Sequence, residues 1–508
     1  MCLQKKSLLI IVHLFFLITS ISWCQTTSIP DANFELYLET HDQNLNVVTL
    51  GDTNSMGDGI LNNIVPTNKI NTILNLDIIN LNIANLNGIE DFIALEKLDC
   101  SQNQITTINV ASLSNLQIFW CFNNNLSSID ISNNTNIISF RVEENSLTNL
   151  DISSNLRLNV LTCQNNNLSN LNTTNNSNLT FLNCADNTIE TLNLSNNLNL
   201  VSLTCHRNNL IELEVASNVI LEILAFDNNL ISNIDISNNR NLIEFRANGN
   251  LLKTLNTSNN LKLEHITCNF NSIKELDISN NNKLKILGCS NNLLCKIDAK
   301  NGNNTLITNF NAFNNPNLTC IIVDDVAYSN ANWTNKDINT TFYNSFIDCL
   351  ESIKPEVDHL NNFIGPSYTL PNLVNGNYYT ASGGNGINLN AGAIISTSQT
   401  IYIYNETTCA SNESSFNILI TENPYFIPKY FTPNDDGNHD YWKVFDSTNT
   451  INNIYIFDRF GKLLKHLNIN SQGWDGTFNG EYLPNSDYWY TITFISGEIL
   501  RGHFTLKR

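Results

Sequence analysis

The sequence predicts a mainly β protein centred on a solenoid of 21-residue coils. One apolar position recurs every 21 residues from Leu98 to Leu287, and Phe310 adds an eleventh copy after a two-residue insertion. An asparagine lies five residues after each copy. Repetition at this period indicates coils that stack around one core. The apolar residues are Leu98, Phe119, Phe140, Leu161, Leu182, Leu203, Leu224, Phe245, Ile266, Leu287 and Phe310. The asparagines are Asn103, Asn124, Asn145, Asn166, Asn187, Asn208, Asn229, Asn250, Asn271, Asn292 and Asn315.

The first regular coil explains the pattern. Leu98 and Cys100 are two residues apart, so both side chains point to one face of a short strand. Ile105 and Val110 bury the rest of the coil, and coils must stack because one coil cannot enclose a core. The asparagine amide can bond to buried backbone groups of its own turn and of the adjacent coil.

The pattern LxxLxCxxNxLxxLxVxxNxxL resembles the leucine-rich repeat family, in the 21-residue form of secreted bacterial proteins. The resemblance covers about half of the chain. It implies a curved solenoid with a parallel sheet on its inner, concave side, which binds proteins or glycans. We expect this solenoid over residues 74–318, between an N-terminal cap at 25–73 and a closing segment at 319–352.

Residues 1–24 have the layout of a secretory signal peptide. Two lysines precede an apolar run from Leu8 to Ile18, and a cut after Cys24 satisfies the small-residue rule. A lipid anchor on Cys24 is the alternative, which the bulky Trp23 disfavours. No other stretch has the length of a membrane span. The sequence therefore predicts an exported protein, secreted or held at the cell surface.

The net charge of the chain limits the classes of partner that it can bind. The 508 residues include 26 Lys or Arg and 46 Asp or Glu, which gives a formal net charge of −20. This balance argues against nucleic acid and against an anionic membrane surface as partners. We attribute the acidity to solubility rather than to an acidic binding face.

Most of the 13 cysteines belong to the repeat. Seven lie two residues after the core residue, where other coils carry valine, phenylalanine or alanine, so we interpret them as small apolar residues. A metal site is disfavoured there because the thiols form a row that no histidine joins. Cys320 and Cys349 flank the closing segment, and their spacing suggests a disulfide in an exported protein. Cys295 and Cys409 have no assignment. The seven repeat cysteines are Cys100, Cys121, Cys163, Cys184, Cys205, Cys268 and Cys289.

The cap is predicted to begin with a short helix that Asp31 caps and that can cover the first coil. A later loop of the cap holds Asp52, Asn54 and Asp58. Met56 breaks the alternation of oxygen ligands that calcium requires, so we expect a turn without metal.

Residues 353–422 differ in pattern from the repeats. Alternating β segments separated by glycine and asparagine turns predict a small all-β sandwich. The segment resembles an immunoglobulin-like spacer that precedes secretion tails in Bacteroidetes surface proteins. Family members carry a cysteine before Ser-Tyr-Thr-Leu-Pro, where this chain has Gly365 and Pro366, so Cys409 would lack the family's partner.

Residues 423–508 contain three of the six tryptophans. Their motifs are, in order, Tyr430-Phe-Thr-Pro-Asn-Asp-Asp-Gly, Asp458-Arg-Phe-Gly, Gly473-Trp-Asp-Gly and Tyr488-Trp-Tyr. The series resembles the gliding-motility-associated C-terminal domain, the type B sorting domain of type IX secretion. The resemblance implies an all-β domain that directs export across the outer membrane, with the type IX machinery as partner. An ordinary adhesive β-domain is the alternative.

Asp435 stands where the family motif Thr-Pro-Asn-Gly-Asp-Gly has its first glycine. With Asp436, Asn438 and Asp440 it could hold calcium, although an Asx-rich turn is favoured. No other cofactor is expected. The eight histidines lack the HExxH spacing, and the chain has no GxSxG or phosphate-binding glycine loop. We therefore expect no enzyme.

The concave face of the solenoid is then the candidate site. Residues one before, one after and three after each core residue point onto it. Coils two to five supply aromatic and charged residues there, with Arg141 able to lie over Trp120. The predicted ligand-binding residues, called the aromatic patch below, are Ile118, Trp120, Phe122, Arg141, Glu143, Val160 and Phe181.

These observations favour a non-enzymatic protein that binds a protein or a glycan. The alternative is a structural envelope, matrix or gliding-associated spacer without a specific ligand. Coils six to ten offer mainly polar residues, as a spacer would: Ser202, Thr204, His206, Asp227, Glu244, Arg246, His265 and Asn269.

Overall fold

The computed structural model describes residues 25–421, 425–447 and 449–508, so the predicted signal peptide lies outside the described residues. The chain divides into two compact units, one ending at Ser352 and one running from Ile353 to Arg508. None of the helices in the described ranges is long and apolar enough to cross a membrane.

The first unit begins with the predicted capped helix, which is confirmed. Helix α1 (Ala32–Glu39) starts where the Asp31 carboxylate accepts the backbone amides of Asn33 and Phe34, at 3.0 and 3.1 Å. The second Asp31 oxygen accepts two amides of the opening coil, so one carboxylate ties the helix to the solenoid. The cap also contains β1 (Thr26–Ser28), the antiparallel β2 (Ile64–Pro66) and helix α2 (Thr67–Ile70).

The cap loop that holds Asp52, Asn54 and Asp58 surrounds the side chain of Lys69. The Lys69 ammonium donates to the carbonyl oxygens of Thr53, Ser55 and Gly57, at 3.1, 3.0 and 2.7 Å. Alternate carbonyl groups therefore point inward at a tethered cation. This arrangement satisfies backbone oxygens that would otherwise be costly to bury.

The predicted solenoid of 21-residue coils is confirmed. Among the described residues, twelve three-residue strands pair in parallel, and the core residues face each other in register, as Leu98 faces Phe119 and Phe140 faces Leu161. The twelve strands are β3 (Asn75–Asp77), β4 (Lys97–Asp99), β5 (Ile118–Trp120), β6 (Ser139–Arg141), β7 (Val160–Thr162), β8 (Phe181–Asn183), β9 (Ser202–Thr204), β10 (Ile223–Ala225), β11 (Glu244–Arg246), β12 (His265–Thr267), β14 (Ile286–Gly288) and β16 (Asn309–Asn311). Two 3₁₀ turns occur between strands in the chain: Ile89–Asp91 precedes β4, and Asn304–Leu306 precedes β16.

The asparagine column joins each coil to the one before it. The Asn124 amide nitrogen donates to the carbonyl oxygens of Cys100 and Cys121, at 3.0 and 3.1 Å. Its amide oxygen accepts the Ile105 amide at 3.0 Å. The same bonds extend to the last member, Asn315. Because an unsatisfied buried polar group costs about 1–3 kcal/mol, the column removes a penalty that every coil would otherwise carry.

A second asparagine column crosses the opposite side of the core. Its members are fully buried, and each donates to carbonyl oxygens of earlier coils, as Asn134 does to Val110 and Leu113 at 2.8 Å. The amide oxygens of two members also have a partner, since Asn197 accepts the Thr173 hydroxyl at 2.9 Å and Asn281 accepts the Thr257 hydroxyl at 2.7 Å, whereas the other six have none among the described residues. The second column consists of Asn134, Asn155, Asn176, Asn197, Asn218, Asn239, Asn260 and Asn281.

The seven repeat cysteines lie reduced in the core, each with no exposed surface. Burial raises the pKa of the Cys184 and Cys268 thiols to about 12. Burial is also the main cause of the higher pKa of the other five. Because the thiolate is the reactive form, these thiols are chemically inert in the folded chain.

We expect the seven thiols to resist iodoacetamide at about pH 8 and to react after denaturation, because folding both buries them and keeps them protonated. Mass spectrometry of tryptic peptides measures the modification. Cys320 and Cys349 serve as the internal control, since they should react only after reduction. Modification of repeat thiols before unfolding would contradict their placement in the core.

The solenoid ends in a short second sheet and a disulfide. Cys320 and Cys349 are bonded, with Cα atoms 5.5 Å apart. Trp333 is buried beneath this end and stacks on Phe310 at 4.4 Å between ring centroids. The elements are β13 (Glu275–Asp277), β15 (Lys296–Asp298), β17 (Cys320–Ile322), β18 (Thr341–Tyr343), α3 (Val326–Asn332) and α4 (Phe346–Ile353).

The second unit is all β, as predicted. Its first part is a five-stranded sheet, in the order β19-β25-β24-β21-β22, and a two-stranded pair of β20 and β23. The aromatic core of this part centres on Tyr378 and Phe416. The strands are β19 (Phe363–Gly365), β20 (Tyr368–Thr369), β21 (Asn377–Ala381), β22 (Asn385–Leu389), β23 (Ile394–Ile395), β24 (Gln399–Glu406) and β25 (Ser411–Ile420).

The last part of the chain folds around its tryptophans. Trp442 stacks on Phe504 at 4.0 Å between ring centroids, and Trp474 meets the same ring edge-on at 5.9 Å. The five-stranded sheet has the order β27-β34-β33-β29-β30. The strands are β26 (Tyr425–Phe426), β27 (Tyr430–Phe431), β28 (Phe445–Asp446), β29 (Ile451–Phe457), β30 (Leu463–Leu467), β31 (Thr477–Phe478), β32 (Glu481–Tyr482), β33 (Ser486–Phe494) and β34 (Ile499–Leu506).

Candidate functional site

The aromatic patch lies on strands β5 to β8 and just after them. Phe119 and Phe140 stack in the core beneath it, 5.4 Å apart, and fix the spacing of the two strands that carry Trp120 and Arg141. Trp120 is half-buried, and its indole nitrogen donates to the Ser139 hydroxyl at 3.1 Å. The ring therefore has one defined orientation.

Two cations flank the indole. The Lys97 ammonium is 5.4 Å from the centre of the Trp120 ring, and the Arg141 guanidinium is 5.5 Å from it. Arg141 also covers the Phe122 ring at 4.3 Å. The predicted contact of Arg141 with Trp120 is thus present, in a geometry that favours cation–π attraction. Lys97 is a participant that the patch residues inferred from the sequence did not include.

Glu143 holds the arginine in place. Its carboxylate accepts the Arg141 Nε at 2.9 Å and a second guanidinium nitrogen, and its other oxygen accepts the Thr162 hydroxyl. The Glu143 side chain is only 4% exposed, whereas Arg141 is 36% exposed. Glu143, one of the predicted ligand-binding residues, is therefore covered by its neighbours, which use both of its carboxylate oxygens.

A strip of apolar side chains continues the patch along the strands. Ile118 and Val160 are half-buried, and Phe181 is 36% exposed. Ile223, two coils beyond Phe181, is also 36% exposed. It occupies the same repeat position, so the 21-residue spacing could have identified it. The strip therefore extends from coil two to coil seven, interrupted by serines.

Part of the remaining concave face, from Asp227 to Ser290, is a connected polar network. Asp227 accepts the backbone amide of Asn248 and its side-chain amide, Asn248 accepts those of Asn269, and Asn269 accepts the amide and hydroxyl of Ser290, at 2.5 to 2.9 Å. Arg246 pairs with Asp227 at 3.3 Å. The polar groups of this network already form hydrogen bonds with one another. A ligand that bound there would have to replace those bonds, with little net gain in free energy.

The acidic loops of the cap and the tail are the remaining candidates for a ligand set. Across the described ranges, no group of three or more His, Cys, Asp or Glu side chains is arranged to hold a metal ion. In the tail, the Asp440 carboxylate accepts the amides of Asn434, Asp435 and Gly437, at 3.0, 2.7 and 2.8 Å. Asp435 has φ of 61°, the left-handed conformation that favours glycine, which explains the glycine of the related motif.

The tail matches a protein-family model, described as the CHU_C type IX secretion signal domain, over residues 425–505. No curated protein matches the chain. Among solved structures, the internalin InlF from Listeria monocytogenes is 22% identical, with 64% of this chain and 93% of that chain covered and a TM-score of 0.50. The functional domain of InlJ from Listeria monocytogenes, which includes a cysteine ladder, is 20% identical, with 78% and 99% covered and a TM-score of 0.39.

The similarity to InlF supports the fold of the solenoid, and the family match assigns the tail. A type IX secretion signal indicates export, so the protein is secreted or lies at the cell surface. The chain is therefore a leucine-rich repeat solenoid that carries a C-terminal type IX secretion signal domain.

Proposed function

We propose that this exported chain is a non-enzymatic binding protein whose ligand site is the aromatic patch of coils two to five, extended by Lys97. The observation that carries the proposal is the arginine clamp. Arg141 lies over Trp120 and Phe122 and donates to Glu143, whose other carboxylate oxygen accepts the Thr162 hydroxyl.

Such a clamp lowers the entropic cost of binding. An exposed arginine normally loses rotamer freedom when a ligand orders it, at about 0.5–1.5 kcal/mol for a mobile side chain. Here Glu143 already restricts that freedom, and 36% of the Arg141 side chain remains exposed. Tryptophan and arginine are the residues most enriched at the energetic centres of protein interfaces. We therefore favour a protein ligand, with a glycan as the second class.

A spacer function is the rival, and one observation favours it for part of the chain. The network from Asp227 to Ser290 is closed, so coils seven to ten have no polar groups in that network prepared for a ligand. A spacer gains nothing, however, from a half-exposed tryptophan between two cations. We therefore assign ligand binding to the N-terminal coils and a spacer function to the later coils.

Replacing Trp120 and Phe122 together by alanine should weaken ligand binding by about 2 kcal/mol or more, because both rings support Arg141. A pull-down from surface proteins and a glycan array, each with residues 25–508, would identify the ligand, and calorimetry would then measure the loss. Leu156→Ala is the control, since Leu156 is 55% exposed outside the patch. Equal affinity for the double variant and the control would move the site elsewhere.

A further inference from the structure

A second apolar surface lies at the rim of the solenoid, on the later coils. Each ladder asparagine is flanked by two rim positions, one residue before it and one after. In the first six copies all twelve rim residues are polar or charged, from Gln102 and Gln104 to Arg207 and Asn209. In the next four copies, four of the eight are large and apolar. These four, the rim cluster, are Leu230, Leu251, Phe270 and Leu293, exposed by 51%, 50%, 62% and 42%.

The repeats themselves show that the fold does not require this cluster. Asparagine, aspartate, threonine and serine occupy equivalent positions in coils with the same backbone, so the apolar residues serve something other than folding. Phe270 makes the point most clearly. It has φ of 56°, and the equivalent residues of other copies, which include Gln102, Arg207 and Gly249, also have positive φ but are polar or lack a side chain. A bulky aromatic residue is uncommon in this conformation, and at this position it exposes apolar surface that the polar copies lack.

The rim cluster contributes one residue from each of four successive coils. The Leu251 amide donates to the Ile231 carbonyl at 2.9 Å, and the Leu293 amide donates to the Ile273 carbonyl at 3.1 Å. These bonds hold successive coils at the distance of neighbouring strands. Exposed Lys253 and Lys274 lie beside it, and neither forms an ion pair within the described residues. The surface is thus apolar with uncompensated positive charge.

The other end of the same unit has complementary chemistry. The cap exposes four apolar side chains on its loops: Val47 by 79%, Leu50 by 52%, Ile60 by 62% and Leu61 by 50%. Its Lys69 is turned inward onto carbonyl groups. The acidic residues beside these loops are Asp42, Asp52 and Asp58.

The charge of the chain is divided in the same way. Residues 25–224 contain five Lys or Arg and 20 Asp or Glu, which gives a formal net charge of −15. Residues 225–300 contain nine Lys or Arg and seven Asp or Glu, which gives +2. Two copies aligned side by side in parallel would bring the acidic segments together, whereas head-to-tail contact places an acidic segment against one of nearly balanced charge.

We propose that the rim cluster of one copy binds the cap of a second copy of this chain. The apolar side chains of both surfaces become buried, and Lys253 and Lys274 face the cap carboxylates. This surface is separate from the aromatic patch, so the proposal goes beyond ligand binding. Because the two surfaces differ and lie at opposite ends, the contact is heterologous, and assembly continues into chains of copies unless it closes into a ring.

The test measures self-association of residues 25–508 by sedimentation velocity over a wide range of concentration. Wild type should form a concentration-dependent series of species larger than a dimer. The rim variant Leu251→Asn with Phe270→Asn should associate at least about tenfold more weakly, since these residues form the centre of the contact. Both substitutions copy residues of the polar coils, so the variant should fold, and its melting temperature should be equal or higher. Leu156→Asn is the exposed control and should assemble like wild type.

A mixing experiment distinguishes this contact from any other. The cap variant Val47→Asn with Ile60→Asn, when alone, should also associate at least about tenfold more weakly than wild type. Mixed with the rim variant, it should form a one-to-one dimer and stop there, because the mixture contains one intact rim and one intact cap. Three results would each overturn the proposal: a monomeric wild type at every concentration, unchanged assembly of either variant, or no dimer in the mixture.

Discussion

Replacement of Leu161 by aspartate should lower the free energy of unfolding by at least about 4 kcal/mol. Leu161 has no exposed surface, and its strand pairs with those of Phe140 and Leu182 in the coils on either side. Leucine-to-alanine changes in such cores already cost about 2–5 kcal/mol through lost contacts and the cavity. Aspartate adds an unpaired charge between two coils.

The effect should be cooperative, because coils of a solenoid depend on their neighbours for stability. Urea denaturation, followed by circular dichroism, measures the change. Leu156→Asp is the matched control, since Leu156 lies five residues earlier and is 55% exposed, so its cost should be within about 0.5 kcal/mol. A Leu161→Asp variant with the melting temperature of wild type would contradict the stacked-coil core.

The fold was predictable because it repeats. A single coil of this chain has weak strand signals, since each strand has three residues, but eleven copies give the same position eleven times. The repeat pattern includes the asparagine of the second column, but it was not predicted from the sequence that this asparagine is buried and bonds to the preceding coil. From the sequence alone, an asparagine beside a turn is expected to be exposed to solvent. Only the stacked coils show that Asn134 and its equivalents are fully buried.

The aromatic patch was predictable in position but not in its internal bonds. Strand alternation places Trp120 and Arg141 on the concave face, and the structure agrees. Alternation cannot tell an exposed carboxylate from a buried one, because that depends on which neighbour covers it. Arg141 folds back onto Glu143, and Thr162 of the next coil covers the second oxygen. Lys97 was missed for a related reason, since its reach toward Trp120 depends on a flexible side chain.

The core of the tail accounts for the motifs of the tail. The tryptophans are internal, with the Trp442 and Trp474 side chains fully buried and their indole nitrogens bonded to the carbonyl groups of Pro428 and Thr477, both at 2.8 Å. A signal that is read after the chain folds must itself be folded and accessible. This separately cored β-domain satisfies that need, and its family is that of type IX secretion signals.

Removal of residues 425–508 should therefore abolish appearance of the protein outside the cell and trap it in the periplasm. The experiment requires a host with the type IX machinery, with the protein measured by immunoblot in periplasmic and external fractions. Fusion of residues 425–508 to a periplasmic fluorescent protein should export that protein. Asp435→Gly is the matched control and should leave export intact, because glycine accepts the left-handed conformation of that turn without strain. If the shortened chain reaches the medium at the level of wild type, the tail is not the sorting signal of this protein.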